Sequence, residues 1–144
     1  MKFIARLILV LGFAGPLVAQ EAGKQAEPSP RQLLQKATIF GFGVKDGQAP
    51  DARATDVAYR TLMVREDARQ QFVQIFEKGD LYGKCYALCA MHDLDKKLFA
   101  KWRATLNLKQ VVSVRNGCVY EDMTVKKIVS AIEDGRYAFM NKGQ

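Results

Sequence analysis

The sequence predicts a small, mainly α-helical domain: an antiparallel bundle of helical pairs, of the kind stacked in solenoids, with one β-hairpin near residues 109–123. Three observations lead to this fold class. Apolar residues recur at helical spacing through most of residues 55–106 and again in residues 124–135. The segment 81–92 is apolar on nearly all sides, as expected of a helix at the centre of a bundle. Between the helical segments the period changes to two, and an Asn-Gly pair at residues 116–117 indicates a tight turn.

The elements before the central helix follow from periodicity and stop signals. A short helix covers residues 31–40, and the glycines and proline of residues 41–50 indicate a loop. The GFGVKDG stretch in that loop lacks the glycine spacing of a dinucleotide-binding site. Thr55 is expected to cap the next helix, which breaks near Arg65. A further helix is expected to end in a left-handed stop at Gly79.

The central helix carries a strip of small residues that would let another helix approach closely: Gly83, Ala87 and Ala90. Asp93 or Asp95 is expected to cap the helix that comes next. After the hairpin, Thr124 caps a last helix that ends at Gly135. The aromatic tail at 137–140 is expected to fold back onto the core.

The amino terminus has the layout of a secretory signal peptide, which we assign to residues 1–19. Lys2 and Arg6 come before an apolar run that reaches the small residue Ala19. The run is about a dozen residues long, whereas a membrane-spanning helix needs about 20 apolar residues. We therefore expect a protein that is soluble after cleavage and is periplasmic or secreted.

Composition and charge divide the remaining chain and limit its partners. Residues 20–30 are rich in Gln, Glu, Ala, Pro and Ser and predict a flexible tether, and residues 31–144 predict a single helical domain. Removing Lys2 and Arg6 lowers the formal charge from +7 to +5, which favours loose, peripheral association with anionic surfaces. The basic residues are dispersed and the chain is exported, so we expect no nucleic-acid partner. An envelope protein or a wall component is the expected partner.

The residues that could carry chemistry lie on the central helix. Cys85, Cys89 and His92 are spaced so that one helix face holds all three. With Cys118 of the hairpin they could bind zinc or copper, and a metal-binding periplasmic protein is our alternative hypothesis. The spacing is not that of a standard zinc site, so our first interpretation assigns neither a metal nor a cofactor.

An enzymatic role is not indicated. A nucleophilic pair of Cys89 and His92 is disfavoured, because both lie toward the carboxy end of the helix, where the helix dipole disfavours a thiolate. The carboxylates stand mostly beside helix ends, where capping and solubility explain them. We assign no catalytic residue and predict a non-enzymatic protein.

An oxidising compartment makes a disulfide the simplest use of the cysteines. Cys85 and Cys89 are poorly placed to bond to each other, because adjacent helix turns hold their side chains parallel with Cα atoms about 6 Å apart. Cys118 is the common candidate partner; Cys89 is favoured over Cys85, but both remain open. A bridge between Cys89 and Cys118 would close a loop of about 30 residues and contribute roughly 3 kcal/mol.

Two stretches, GDLYGKCYALCAMHDLDKKLFAKW and NGCVY, resemble exported bacterial proteins of unknown function that carry a helical Tyr-Ala-Leu-Cys segment and a downstream Gly-Cys. The resemblance spans about residues 55–135. It implies a helical fold and matches the pairing of Cys89 with Cys118, with Cys85 as the departure, and it implies no activity. The sequence therefore predicts an exported small helical envelope protein, a non-enzymatic binding or structural module stapled by a disulfide.

Overall fold

The computed structural model describes residues 27–42, 50–117 and 119–138. The predicted signal peptide, at residues 1–19, and most of the predicted tether lie outside this part of the chain. The described helices are α1 (Pro30–Gln35), α2 (Pro50–Met63), α3 (Ala68–Lys78), α4 (Leu81–Leu94), α5 (Lys96–Arg103) and α6 (Val125–Glu133). The described strands are β1 (Phe40–Phe42), β2 (Val111–Asn116) and β3 (Val119–Thr124).

The predicted helical bundle with a lone hairpin is wrong, because the helices pack against a three-stranded mixed sheet with the strand order β1-β2-β3. The hairpin of β2 and β3 is present, but β2 also pairs in parallel with β1. In this pairing Phe40 lies opposite Val114 and Phe42 opposite Asn116. The sequence predicts a helix end and a loop where β1 lies, since a strand of three residues is too short to display a period of two.

Helix α4 forms the centre of the molecule, as the sequence predicts. Its side chains from Cys85 to Met91 are all buried. Its first turn is capped by Asp80, whose carboxylate accepts a hydrogen bond from the Gly83 N–H at 3.0 Å. A Cβ atom at Gly83 would come within 2.7 Å of the Leu34 carbonyl oxygen of α1. The close approach of another helix, predicted from the small residues, is therefore confirmed at Gly83, where α1 packs against α4.

The bounds of the early helices differ from the prediction. Helix α1, expected over residues 31–40, ends at Gln35. Helix α2 begins at Pro50, because proline suits the first turn of a helix, where its missing N–H is not needed. Thr55 therefore lies inside α2, and its hydroxyl donates to the Ala52 carbonyl at 3.0 Å instead of capping. Gly79 does end α3, but with an extended backbone at φ −81° and not in the left-handed region.

The later caps and turns follow the prediction. Asp95 and Thr124 cap α5 and α6, each accepting a hydrogen bond from the backbone N–H three residues further along. Gly117 in the hairpin turn and Gly135 after α6 have φ values of 60° and 72°, the region that favours glycine. The period change and the stop signals were therefore sufficient to locate this half of the fold.

Tyr86 of α4 satisfies the backbone of β1 along the side that β2 does not pair. Its hydroxyl accepts a hydrogen bond from the Gly41 N–H at 3.1 Å. The same oxygen lies 3.1 Å from the Gly41 carbonyl, 3.2 Å from the Ile39 carbonyl and 3.0 Å from the Thr55 hydroxyl. Buried backbone groups need such partners. One side chain of the central helix thus takes the place of a neighbouring strand.

Candidate functional site

The helix face on which the sequence places a cysteine pair is turned into the core. Cys85 and Cys89 are free thiols, with exposed fractions of 0% and 2%. The Cys89 thiol donates to the Tyr137 carbonyl at 3.7 Å, and the neighbouring Tyr59 hydroxyl lowers the pKa of this thiol, against the larger effect of burial. Burial raises the pKa of each thiol to about 12. A nucleophilic cysteine needs a lowered pKa, so neither thiol is suited to catalysis.

His92 does not complete a site with these thiols. Its Nδ1 lies 3.3 Å from a carboxylate oxygen of Asp93, and its ring packs edge-on against Phe99 with the centroids 5.2 Å apart. Within residues 27–42, 50–117 and 119–138, no three His, Cys, Asp or Glu side chains form a group that could hold a metal ion. Cys118 lies outside the described residues. It is both the fourth ligand of the metal alternative and the predicted disulfide partner of Cys89, so neither arrangement falls within the described part of the chain.

We expect Cys85 and Cys89 to react with a thiol reagent at least about a thousandfold more slowly in the folded Cys118→Ser variant than in the same variant unfolded. Burial removes access, and at about pH 8 a thiol with a pKa near 12 is almost wholly protonated. The measurement is the rate of alkylation followed by mass spectrometry.

A matched control is the same variant carrying Val64→Cys, because Val64 is 81% exposed. That added thiol should react at nearly the unfolded rate. Equal rates at Val64→Cys and at Cys85 or Cys89 would contradict the buried arrangement. Alkylation of the denatured natural protein without reductant decides the disulfide: a bridge leaves one of the three cysteines reactive, and its absence leaves all three.

Several carboxylates on or beside the described helices act in capping or in ion pairs. Asp95 caps α5 and also accepts hydrogen bonds from the Arg69 guanidinium at 2.8 and 2.9 Å, which ties α3 to α5. Arg103 of α5 pairs with Glu133 of α6. These contacts support the interpretation of the carboxylates as structural groups.

A groove of about 600 Å³ lies between α1 and α2. Leu33, Ala54 and Val57 are among the residues that line it, with Glu27 and Arg53 also part of its lining. The lining is mostly apolar, and nothing in the described chain indicates what would fill it. The groove therefore defines no ligand.

The outer edge of β3 is a more informative surface. Within the described chain β3 pairs with β2 and with no other strand, so one row of its backbone N–H and C=O groups has no strand partner. Val119 and Tyr120, adjacent at its start, are 62% and 58% exposed. Unpaired strand edges with exposed apolar side chains pair readily with other chains.

The sequence predicts this hairpin, but its outer edge was not among the candidate sites. The signal was present in VYEDMT, where two apolar residues are adjacent and two acidic residues follow, so that neither strand face is uniformly apolar. Such a pattern is typical of a strand with little burial on either face. The burial of β3 agrees, since residues 119–122 are all exposed.

No family model, no curated protein and no solved structure matches the chain. The resemblance to exported bacterial proteins with a Tyr-Ala-Leu-Cys helix stays a prediction. Among the described helices, none has both the length and the apolar character needed to cross a bilayer.

Proposed function

We propose that this chain is an exported binding protein without catalytic activity, which holds another envelope protein along the outer edge of β3. The observation that carries the proposal is the outer edge of a six-residue strand that pairs with no further strand in the described part of the chain. The first two side chains of this strand, Val119 and Tyr120, are largely exposed. The buried, protonated thiols of α4 and the capping carboxylates support the non-enzymatic part. The signal-peptide pattern of residues 1–19 supports export.

An edge of this kind binds by adding a strand. Main-chain hydrogen bonds supply affinity, and the side chains on either side of the strand supply specificity. Proteins usually protect such edges with proline, lysine, bulges or very short strands. β3 contains neither proline nor lysine, and it pairs with β2 in continuous register from Val119 to Thr124. Among its own residues, the protective feature is an acidic pair at its centre.

The proposal is tested with a photoreactive phenylalanine analogue placed at Tyr120 in protein exported through its own signal. We expect a discrete cross-linked partner from Tyr120 and none from the same analogue at Val64, which is exposed on the turn between α2 and α3. The mass of the exported protein should correspond to cleavage close to Ala19. Cross-linking that is equal at both positions, or absent from Tyr120, would count against binding at β3, and retention of the intact signal peptide would count against export.

A further inference from the structure

The centre of β3 carries two acidic side chains that lack a cationic partner among the described residues. Glu121 and Asp122 are both exposed and form no ion pair within that part of the chain. Their hydrogen-bond partners are neutral: the Ser113 hydroxyl donates to Asp122 at 2.8 Å, and the Asn116 side chain donates to Glu121 at 3.4 Å. The edge therefore presents two negative charges, in a chain whose formal charge is positive.

The described cations of this region contact other groups or lie beyond the end of the strand, where Lys126, Lys127 and Arg136 line a pocket with Met123 and Thr124. The Arg115 guanidinium lies over the Tyr120 ring, 4.6 Å from its centroid, and donates to the Gly117 carbonyl at 2.7 Å. Lys126 and Lys127 belong to α6, after the strand has ended at Thr124. From the start of β3 into the first turn of α6 the order along the chain is thus apolar, acidic and then basic.

A second copy of the chain fits this edge poorly. Antiparallel pairing of β3 with another β3 about their common centre would set the carboxylates of one copy opposite those of the other. Like charges directly opposite each other destabilise a strand pair. The acidic pair thus discourages self-association while leaving the edge open to a strand of opposite charge.

We propose that β3 accepts, as an added antiparallel strand, an extended protein segment with two adjacent basic residues opposite Asp122 and Glu121, followed by apolar residues opposite Tyr120 and Val119. This proposal rests on the proposed function and names the chemistry of its partner. We propose antiparallel and not parallel addition because antiparallel strand pairs are slightly more stable per residue. Adjacent residues of a strand point to opposite faces, so the two basic side chains would lie on the same faces as Glu121 and Asp122 respectively. A third basic residue beyond Thr124 would meet Lys126 and Lys127 and is excluded.

The test uses the full exported protein, labelled with ¹⁵N, and synthetic peptides of about nine residues. One peptide has two central lysines followed by valines, and the other has glutamates in place of the lysines. We expect the lysine peptide to bind about tenfold more tightly, because two cross-strand charge pairs are attractive in one complex and repulsive in the other. Shifts of the backbone amides of residues 119–124 on titration locate the binding.

A charge-reversed protein with Glu121→Lys and Asp122→Lys should prefer the glutamate peptide. A neutral variant, Glu121→Gln with Asp122→Asn, should bind both peptides alike, and it provides the test if the charge-reversed protein does not fold. Equal binding of both peptides at β3 by the natural protein would overturn the proposed preference for basic residues opposite Glu121 and Asp122. Binding at the edge itself would still stand. No shift at β3 with either peptide, together with no cross-link from Tyr120, would overturn both proposals. Sedimentation that shows a stable dimer through β3 would identify a second copy as the occupant and refute the partner proposed here.

Discussion

Replacing Gly41 with alanine is expected to lower the free energy of unfolding by about 3 kcal/mol, because the added methyl group has no space between β1 and β2. A Cβ atom at Gly41 would lie 2.1 Å from the carbonyl oxygen of Arg115, the residue paired with it in the sheet. A backbone carbonyl cannot turn aside as a flexible side chain can, so β1 would have to move away from β2. Urea denaturation followed by circular dichroism measures the loss.

Gly135→Ala is the matched control, since the two glycines are needed for different reasons. Gly135 has a φ of 72°, and a Cβ atom there would meet nothing within 4 Å. Backbone strain alone should cost about 1 kcal/mol at that position. If both variants lose the same free energy, the close approach of β1 and β2 is not what requires glycine at position 41.

The sequence predicted the parts of this fold in which one pattern repeats over enough residues. Helix α4 is apolar nearly all round and is buried, and α6 begins at the capping Thr124. The Asn-Gly turn correctly placed the hairpin. β1 was missed because it is three residues long, contains Gly41, and pairs with residues more than seventy positions further along the chain. Its stability comes from tertiary contacts that local patterns do not encode.

For the candidate site, too, the sequence predicted what a local pattern encodes and missed what depends on tertiary contacts. Helical spacing correctly placed Cys85, Cys89 and His92 on neighbouring turns of α4, but spacing cannot tell which way a helix face points. The apolar character of the whole segment was the better guide, since a helix with little polar surface buries its cysteines. The edge of β3 depends on strand order, which becomes defined only when β1 occupies the opposite side of β2.

The loss of one hydroxyl group at Tyr86 is expected to lower the free energy of unfolding by about 2 kcal/mol, the second large effect that the structure predicts. In Tyr86→Phe the buried Gly41 N–H loses its acceptor, and the Thr55 hydroxyl loses a neighbour at 3.0 Å. The ring itself stays, so its packing against Phe40 and Phe42 is kept. Tyr82→Phe on the same helix is the control, because Tyr82 is only partly buried; its cost should stay within about 0.5 kcal/mol.

A double-mutant cycle connects the two large effects, because both substitutions act on β1. If Gly41→Ala has already moved β1, the hydrogen bond from the Gly41 N–H to the Tyr86 hydroxyl is already weakened, and removing the hydroxyl costs less free energy. The combined loss of Gly41→Ala with Tyr86→Phe should therefore fall short of the sum of the single losses by about 1 kcal/mol. Strict additivity would mean that Tyr86 stabilises the core independently of β1, and its proposed role as the substitute for a neighbouring strand would be wrong. A loss smaller than the sum would show that β1 couples the central helix to the sheet. The β3 edge proposed to bind a partner lies on the other side of β2 in the same sheet.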